Sequence, residues 1–462
     1  MPLATLSLFA LVVACALLFG CSFGKEERPG DIVLITIDTL RADHLGINGY
    51  ERPTSPNIER WFGKGAIFDR AYSAEAATSP SVVSLLSGRL PQNHGVRLFY
   101  QLLPEDVPLI PDLLPKGYQT AAFVSNMVLT DEAIGFGDRF EHFDDFLDKR
   151  ESKRRVFERN AEATTNAALL WLVKERDAHR PLFLWVHYID PHGPYRPPED
   201  WQATFEHEGQ LPVQLNKIPP FTQLEGVDDA LDYVDRYDEE IRYADEQIGR
   251  LLDGYARNHD PEKALVLLTA DHGETMASRE TWFHHSFHVY DDIVHVPLMV
   301  RGPGVEPGRI RGLASGIDVA KTILAFSGGH PIDTGKEAVG FDLRHGSRLD
   351  PNRVVFFEAT GNKVQWRGAR RGDHKWVMAV VGDRKVPVKY FYDLAADPLE
   401  QQSLEFHDGE AVQRLQQLIE SDPDPAGVPA AYAKGMKITA PKVAPNVSEK
   451  QLEALRALGY AE

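Results

Sequence analysis

Cysteine is almost missing from this chain. The 462 residues contain two, Cys15 and Cys21, within and just after one apolar N-terminal run. If that leader is removed at Cys21, the mature chain keeps a single cysteine at its first residue. No disulfide framework is then expected, and no thiol is left for catalysis. Positive charge is scarce too: 50 Lys and Arg face 68 Asp and Glu, a formal net charge of −18. Such a balance repels polyanions, so nucleic acid is not expected as a partner. The one basic run, Lys149 to Arg155 ("KRESKRR"), reads as the solvated start of a helix rather than as a polyanion site. Apolar runs of bilayer-spanning length are also lacking, since Leu6 to Phe19 has the length of a signal-peptide core. No biased tract or internal repeat breaks the remainder. With 43% apolar and 26% charged residues the composition is that of a globular protein, with one large domain and a smaller appendage expected.

The leader ends in Leu18-Phe19-Gly20-Cys21, which resembles a bacterial lipoprotein cleavage box in which the cysteine becomes the lipidated first residue. A plain secretory signal or a short anchor is the alternative. Every one of these readings exports the protein to the cell envelope. The lipoprotein reading adds a membrane contact through a lipid on Cys21.

Along the body of the chain, short β-rich apolar runs alternate with helical patterns. Buried strands are expected at Asp31 to Ile37 ("DIVLITI"), Gln119 to Ser125 ("QTAAFVS"), Pro181 to Asp190 ("PLFLWVHYID") and Ala264 to Ala270 ("ALVLLTA"). Helices are expected at Pro56 to Gly65, Ser79 to Ser87, Arg159 to Arg176 and, long and highly charged, Val227 to Asn258. This order predicts a mostly parallel α/β sheet flanked by helices, with ligands gathered at the carboxyl ends of the strands. From about Val354 the texture changes to short runs ("RVVFFEA", "KWVMAVV", "VKYFYDL") and a helix near Glu410 to Glu420, a small antiparallel sheet plus helix. The expected division is a leader at 1–21, a linker at 22–30, a large α/β domain at 31–345, a smaller α+β unit at 346–422, and a tail at 423–462 ending in a short helix.

Three of the buried strands end in metal-ligand residues: Asp38, then Asp190 and His192, then Asp271-His272. A single Asp after a strand is usually a turn or cap residue. Three on parallel strands would converge on one edge. Two carboxylates with an imidazole suit a divalent transition ion such as Zn²⁺ or Mn²⁺, whereas Ca²⁺ or Mg²⁺ more often takes oxygen ligands alone. His284, His285, His288 and His295 follow close behind, some of them structural. Thr78, in "TSPSVVSLLSGR", lies just before a helix expected to start near Pro80, where free N–H groups favour anions. Thr78 or Ser79 is either the helix N-cap or, beside a divalent ion, a hydroxyl that can be deprotonated near neutral pH. The Asp and His set favours the nucleophile.

Together these residues resemble the sulfatase family of the alkaline phosphatase superfamily, over about Asp31 to Pro398. The resemblance is carried by "DTLRADHLGINGY" (Asp38 to Tyr50), "TSPSVVSLLSGRLPQNHG", "DPHGPY" (Asp190 to Tyr195), "TADHGE", "HHSFHVYDDIVHVPL" (His284 to Leu298) and "FYDLAADPLE" (Phe391 to Glu400). It implies an alkaline phosphatase-like fold and Asp38, Asp271 and His272 as metal ligands, with Thr78 as a nucleophile touching the same ion. It also implies His192 near the ester oxygens and His285 beside the leaving group. Thr39, His187, Asp190, His288 and Asn126 are the candidates for a second ion or for substrate contacts.

The chain also departs from the family pattern. Where a sulfatase reads Cys-x-Pro-x-Arg and oxidises that Cys to formylglycine, this chain reads Thr78-Ser79-Pro80-Ser81-Val82. Thr39 stands for a second metal-binding Asp, and "VSNM" (Val124 to Met127) stands where many sulfatases have a Lys and a His that clamp sulfate. A formylglycine hydrate expels sulfate by elimination from a geminal diol, an exit closed to threonine. A threonyl phosphate can be hydrolysed in line or passed to an alcohol. The expectation is an exported, metal-dependent hydrolase of phosphate, phosphodiester or sulfate esters, on a small-molecule, glycan or lipid substrate. The alternatives are ordinary sulfuric ester hydrolysis, a phospho-group transferase acting on envelope lipid or glycan, and a non-catalytic binding protein. Oligomeric state is not read from the sequence.

Overall fold

A computed structural model describes residues 30–147, 149–150 (backbone alone), 157–201, 204–332, 339–360, 364–381, 385–407 and 409–422. The leader with Cys21 and the tail at 423–462 lie outside the described residues. Among the described residues, no helix is long and apolar enough to cross a membrane.

The large sheet is built from β1 (Ile32–Ile37), β2 (Ala66–Phe68), β3 (Gln119–Phe123), β4 (His142–Asp144), β5 (Leu182–Tyr188), β6 (Leu265–Ala270), β7 (Leu298–Arg301) and β8 (Gly308–Ile310). Their order across the sheet is β8-β2-β7-β6-β1-β5-β3-β4. The strands from β6 through β1, β5 and β3 to β4 run parallel, and β7 is antiparallel to its neighbours β6 and β2. Every residue of β1, β5 and β6 is buried, which is why they read as unbroken apolar runs rather than alternating ones. The register places Ile37 opposite both Tyr188 and Ala270. Asp38, Ile189 and Asp271 therefore leave the sheet side by side at its carboxyl edge.

Helices α1 (Pro56–Phe62), α2 (Thr78–Ser87), α3 (Ala161–Lys174), α4 (Ala230–Ala256) and α5 (Asp318–Ser327) flank this sheet. α1 and α3 pack on α4, while α2 packs on α5. Their ends follow local rules. Asn160 and Asp229 cap α3 and α4 by accepting from Ala163 N (3.0 Å) and Leu231 N (2.9 Å). Gly88 closes α2 at φ 65°, a left-handed conformation that a side chain disfavours. The described part of the basic run is strand rather than helix start: Lys149–Arg150 pairs antiparallel with Phe157–Glu158, and α3 begins at Ala161. The intervening 151–156 lie outside the described residues.

Four antiparallel strands follow: β9 (Val354–Thr360), β10 (Gln365–Arg371), β11 (His374–Val381) and β12 (Lys385–Asp393), with α6 (Glu410–Ser421) on one face. Alternation between two covered faces explains the apolar run at 354–357 of β9. Val354 and Phe356 pack against α6, whereas Val355, Phe357 and Ala359 pack against Tyr72, Ala76, Val289 and Ile293 of the large sheet's unit. At its far end β9 bonds to the segment that leads into α2: Glu358 N donates to Ala74 O and Ala76 N to Glu358 O, both at 3.0 Å. The small sheet thus braces the residues just before Thr78.

Candidate active site

At the carboxyl edge, Asp38, Asp271 and His272 each offer a ligand atom, all within 4.8 Å of one another, and all three are fully buried. His272 Nε2 lies 3.7 Å from Asp38 Oδ1 and 3.7 Å from Asp271 Oδ2. Neither of those two oxygens has a hydrogen-bond partner among the described residues, nor have Thr39 Oγ1 and His187 Nε2. Buried polar atoms are nearly always satisfied, so the orphans on Asp38, Asp271 and His187, grouped about Asp38 and His272, mark a place built for a cation or for anionic substrate oxygens. Burial and the charge of Asp38 push the Asp271 carboxyl well above its usual range. Burial acts on Asp38 in the same sense, but His187, His192 and His272 together hold it well below. Burial also depresses His272, keeping the imidazole neutral and able to ligate. A divalent ion fits this donor set, and Asp38, Asp271 and His272 would hold it.

Thr78 is 1% exposed and its Oγ1 lies 3.3 Å from His272 Nε2. The helix begins at Thr78 itself rather than near Pro80, and its N-cap is Ala77, which makes no side-chain cap. Thr78 and Ser79 are therefore not caps. The neighbouring hydroxyls are engaged elsewhere: Ser79 Oγ donates to Val128 O (2.9 Å) and Ser81 Oγ to Asp271 O (2.6 Å). Ser84 Oγ pairs with His94 Nε2 at 2.9 Å. Thr78 is the member of the run that faces the Asp/His group. It does so from a helix N-terminus, whose dipole favours an incoming anion.

The structure sorts the remaining candidates. Asn126 and His187 join the site, Asn126 Nδ2 donating to Asp38 Oδ2 at 2.5 Å and His187 Nε2 lying 3.7 Å from the same oxygen. The other nitrogen of His187 is bonded to Thr36 Oγ1 at 2.8 Å. Thr39, at φ 54°, gives its N–H to Asp271 Oδ1 (3.3 Å). His192 and His285 come together, ring centroids 5.1 Å apart, and His285 lies 4.5 Å from the His272 ring. Asp190 turns away and accepts from Ala161 N at 2.7 Å, serving the start of α3. His288 is stacked on Tyr290 (3.7 Å) and tilted against Trp366 (4.2 Å), and is not one of the grouped Asp/His ligands. His295 is structural, bonded to Asp69 O and stacked on Tyr72.

Two residues of the quoted motifs carry more than the sequence reading gave them. Glu274, the last residue of "TADHGE", is buried with Oε1 2.9 Å from His285 Nδ1, and its Oε2 accepts from Tyr195 OH at 2.6 Å. Burial raises its carboxyl to about 7, against the pull of His192 and Tyr195. Its place two residues after His272, at the same strand end, was the available signal. A wall beside His284 comes from the described residues 215–221 ahead of α4. There Phe221 lies 5.8 Å from the His284 ring, and Lys217 Nζ sits 4.8 Å over Trp282.

A family model described as Sulfatase matches residues 30–329. The choline-sulfatase of Rhizobium meliloti (strain 1021) is 24% identical over 427 residues, covering 80% of this chain and 81% of that one. Among solved structures, a 2-O GAG sulfatase aligns with TM-score 0.66 at 20% identity, over 86% of this chain and 93% of that one. The phosphonate monoester hydrolase of Silicibacter pomeroyi aligns with TM-score 0.63 at 19% identity, over 88% and 92%. At these identities the two structures show the fold alone.

Proposed function

The chain belongs to the sulfatase family, and from that premise we propose that it is a metal-dependent hydrolase of anionic esters in which unmodified Thr78 is the nucleophile. The observation that carries this reading is the Thr78 hydroxyl, buried 3.3 Å from His272 Nε2 at a helix N-terminus. Bound by Asp38, Asp271 and His272, a Zn²⁺ or Mn²⁺ ion would supply positive charge to a non-bridging ester oxygen and acidify the threonine hydroxyl.

The protein's own groups do the rest. Thr78 Oγ, its proton released to solvent as the hydroxyl ionises, attacks phosphorus or sulfur in line, forming one P–O or S–O bond as the bond to the leaving oxygen breaks. His285 gives the leaving oxygen its proton, and His192 supplies charge to the ester oxygens. Water then attacks the threonyl ester, giving a proton back to the neutral His285 as the bond to Thr78 Oγ breaks and frees Thr78. Because threonine offers no second hydroxyl for elimination, a phosphate monoester or diester is the better substrate for this nucleophile. Sulfate ester cleavage is the second reading, favoured by the relative named a choline-sulfatase.

Purified protein reloaded with Zn²⁺ or Mn²⁺ tests this against p-nitrophenyl sulfate, phosphate and phosphonate and the bis-phosphate diester. We expect turnover of a phosphoryl ester, with Thr78→Ala reducing kcat/KM by on the order of a thousandfold or more. Release of sulfate alone would select the second reading. Turnover of no ester, or wild-type turnover by Thr78→Ala, would contradict the nucleophile. The proposal includes export and a lipid on Cys21. Labelling with a fatty-acid analogue should mark the wild type and not Cys21→Ser.

A further inference from the structure

We propose that Glu274 is the positioning residue for His285, holding Nδ1–H of the imidazolium so that Nε2–H faces the leaving oxygen. The inference rests on the nucleophilic reading of Thr78 and on His285 beside the leaving group. Three observations carry it. Glu274 Oε1 lies 2.9 Å from His285 Nδ1, and both side chains are about 2% exposed, out of reach of competing water. Glu274 is itself held at two points: Tyr195 OH donates to the carboxylate Oε2 at 2.6 Å, and the backbone carbonyl accepts from Arg41 Nη1 at 2.9 Å. The ring has little freedom of its own, packed between His272 (4.5 Å) and His192 (5.1 Å).

An imidazole has two distinct nitrogens, and the partner of one decides what the other does. With Nδ1–H engaged by Glu274, the proton offered to the leaving oxygen is the one on Nε2. In the step, the bond from phosphorus or sulfur to the leaving oxygen breaks and that oxygen takes the proton from Nε2. The ring becomes neutral and keeps Nδ1–H on Glu274. The Thr78 hydroxyl proton has left for solvent on ionisation, and the water that later cleaves the threonyl ester returns a proton to Nε2. Tyr195 serves the same end one bond further out, by fixing the carboxylate.

The test compares Glu274→Ala, Glu274→Gln and Tyr195→Phe over a series of esters of one head group with leaving groups from p-nitrophenol to unactivated alkyl alcohols. Positioning of an acid matters most where the leaving group is poor. We expect Glu274→Ala to lose severalfold in kcat/KM on the p-nitrophenyl ester and on the order of 10²- to 10⁴-fold on alkyl esters. Glu274→Gln, which keeps an acceptor of the same reach, should recover at least about tenfold on the alkyl esters. Tyr195→Phe should show the same trend more weakly. A loss by Glu274→Ala that is equal across leaving groups, with no recovery by Gln, would overturn the proposal. If Glu274→Ala fails to fold, the slope of Tyr195→Phe decides in the same way. Thr78→Ala distinguishes the two claims: if it retains activity the nucleophile reading fails. If it is inactive while the Glu274 series is flat, only the positioning role fails.

Discussion

A carboxylate buried beside another carboxylate has to find a cation or a proton, and Asp271 is in that position against Asp38. The sign of its pH dependence follows. Its folded-state value is raised, so in the metal-free protein ionising it opposes folding. Stability then falls as pH rises from the ordinary carboxylate range of about 4 towards the raised value. A divalent ion takes the proton's place and reverses that trend. Chelation is therefore expected to lower Tm more at pH 7 than at pH 5. Adding Zn²⁺ or Mn²⁺ at about 100 times its dissociation constant should return about 2.7 kcal/mol. Asp271→Asn removes one of the two negative charges, so its metal-free form should melt above the metal-free wild type while gaining nothing from added ion. Thermal scans of both proteins, with and without chelator, check all three outcomes. An equal response to metal in Asp271→Asn would remove Asp271 from the ligand set.

At the scale of elements, the charged face of α4 turns out to be an attachment surface. Glu240 Oε1 accepts from Arg196 N (2.5 Å) and Glu239 Oε1 from Thr204 N (2.8 Å). Further along, Asp235 Oδ2 pairs with His207 Nδ1 at 2.7 Å. These bonds hold the segment that continues to Phe221 and the wall of the site. His207 faces Asp229, Asp232 and Asp235, with Arg52 bonded to the far oxygen of Asp235. The hydrogen bond to Asp235, then the three charges, raise its pKa. For a raised histidine the attachment is complete below the unfolded value of about 6.5 and is lost as pH rises through the folded value. Amide exchange around residues 204–211 should accelerate over that interval in the wild type and show no such step in His207→Gln. The helix, like the strands with their terminal ligands, was legible in the sequence because periodicity reports element type. Its role was not. A run rich in Asp and Glu reads as a solvated face unless the backbone N–H groups it serves are known, and those come from a loop.

For the molecule as a whole, the small sheet is joined to the large unit through buried charge. Arg97, from the loop after α2, pairs with Glu358 on β9 (2.8 Å) and with Asp422 just past α6 (2.6 Å), and Arg367 on β10 pairs with the same two carboxylates. All four are 5% exposed or less. Removing one member leaves charges buried and unpaired, so Arg97→Ala should cost about 3–5 kcal/mol in urea unfolding. Because β9 also braces residues 74–76, the same variant should lower kcat when assayed below its unfolding transition. An unchanged unfolding midpoint would show that the two units are held by their apolar seam alone. β10 was the one strand of this sheet missed in the sequence. Arg367, Arg370 and Arg371 give "QWRGARR" the look of a loop, and only the acids across the interface make those arginines compatible with a buried strand. The site shows the same limit. Asp38, Asp271, His272 and Thr78 lie at strand and helix ends, where position announces chemistry, whereas Glu274 and Tyr195 act through contacts between loops.

The most direct test of the account is to trap the enzyme during turnover and ask where the transferred group resides. Wild-type protein mixed with an activated aryl ester, quenched in acid within the first turnovers and digested, should carry a phosphoryl or sulfuryl adduct confined to the peptide containing Thr78. The adduct should disappear on longer incubation and be absent from Thr78→Ala. An adduct on any other residue, or wild-type turnover with Thr78 replaced by alanine, would contradict the central claim.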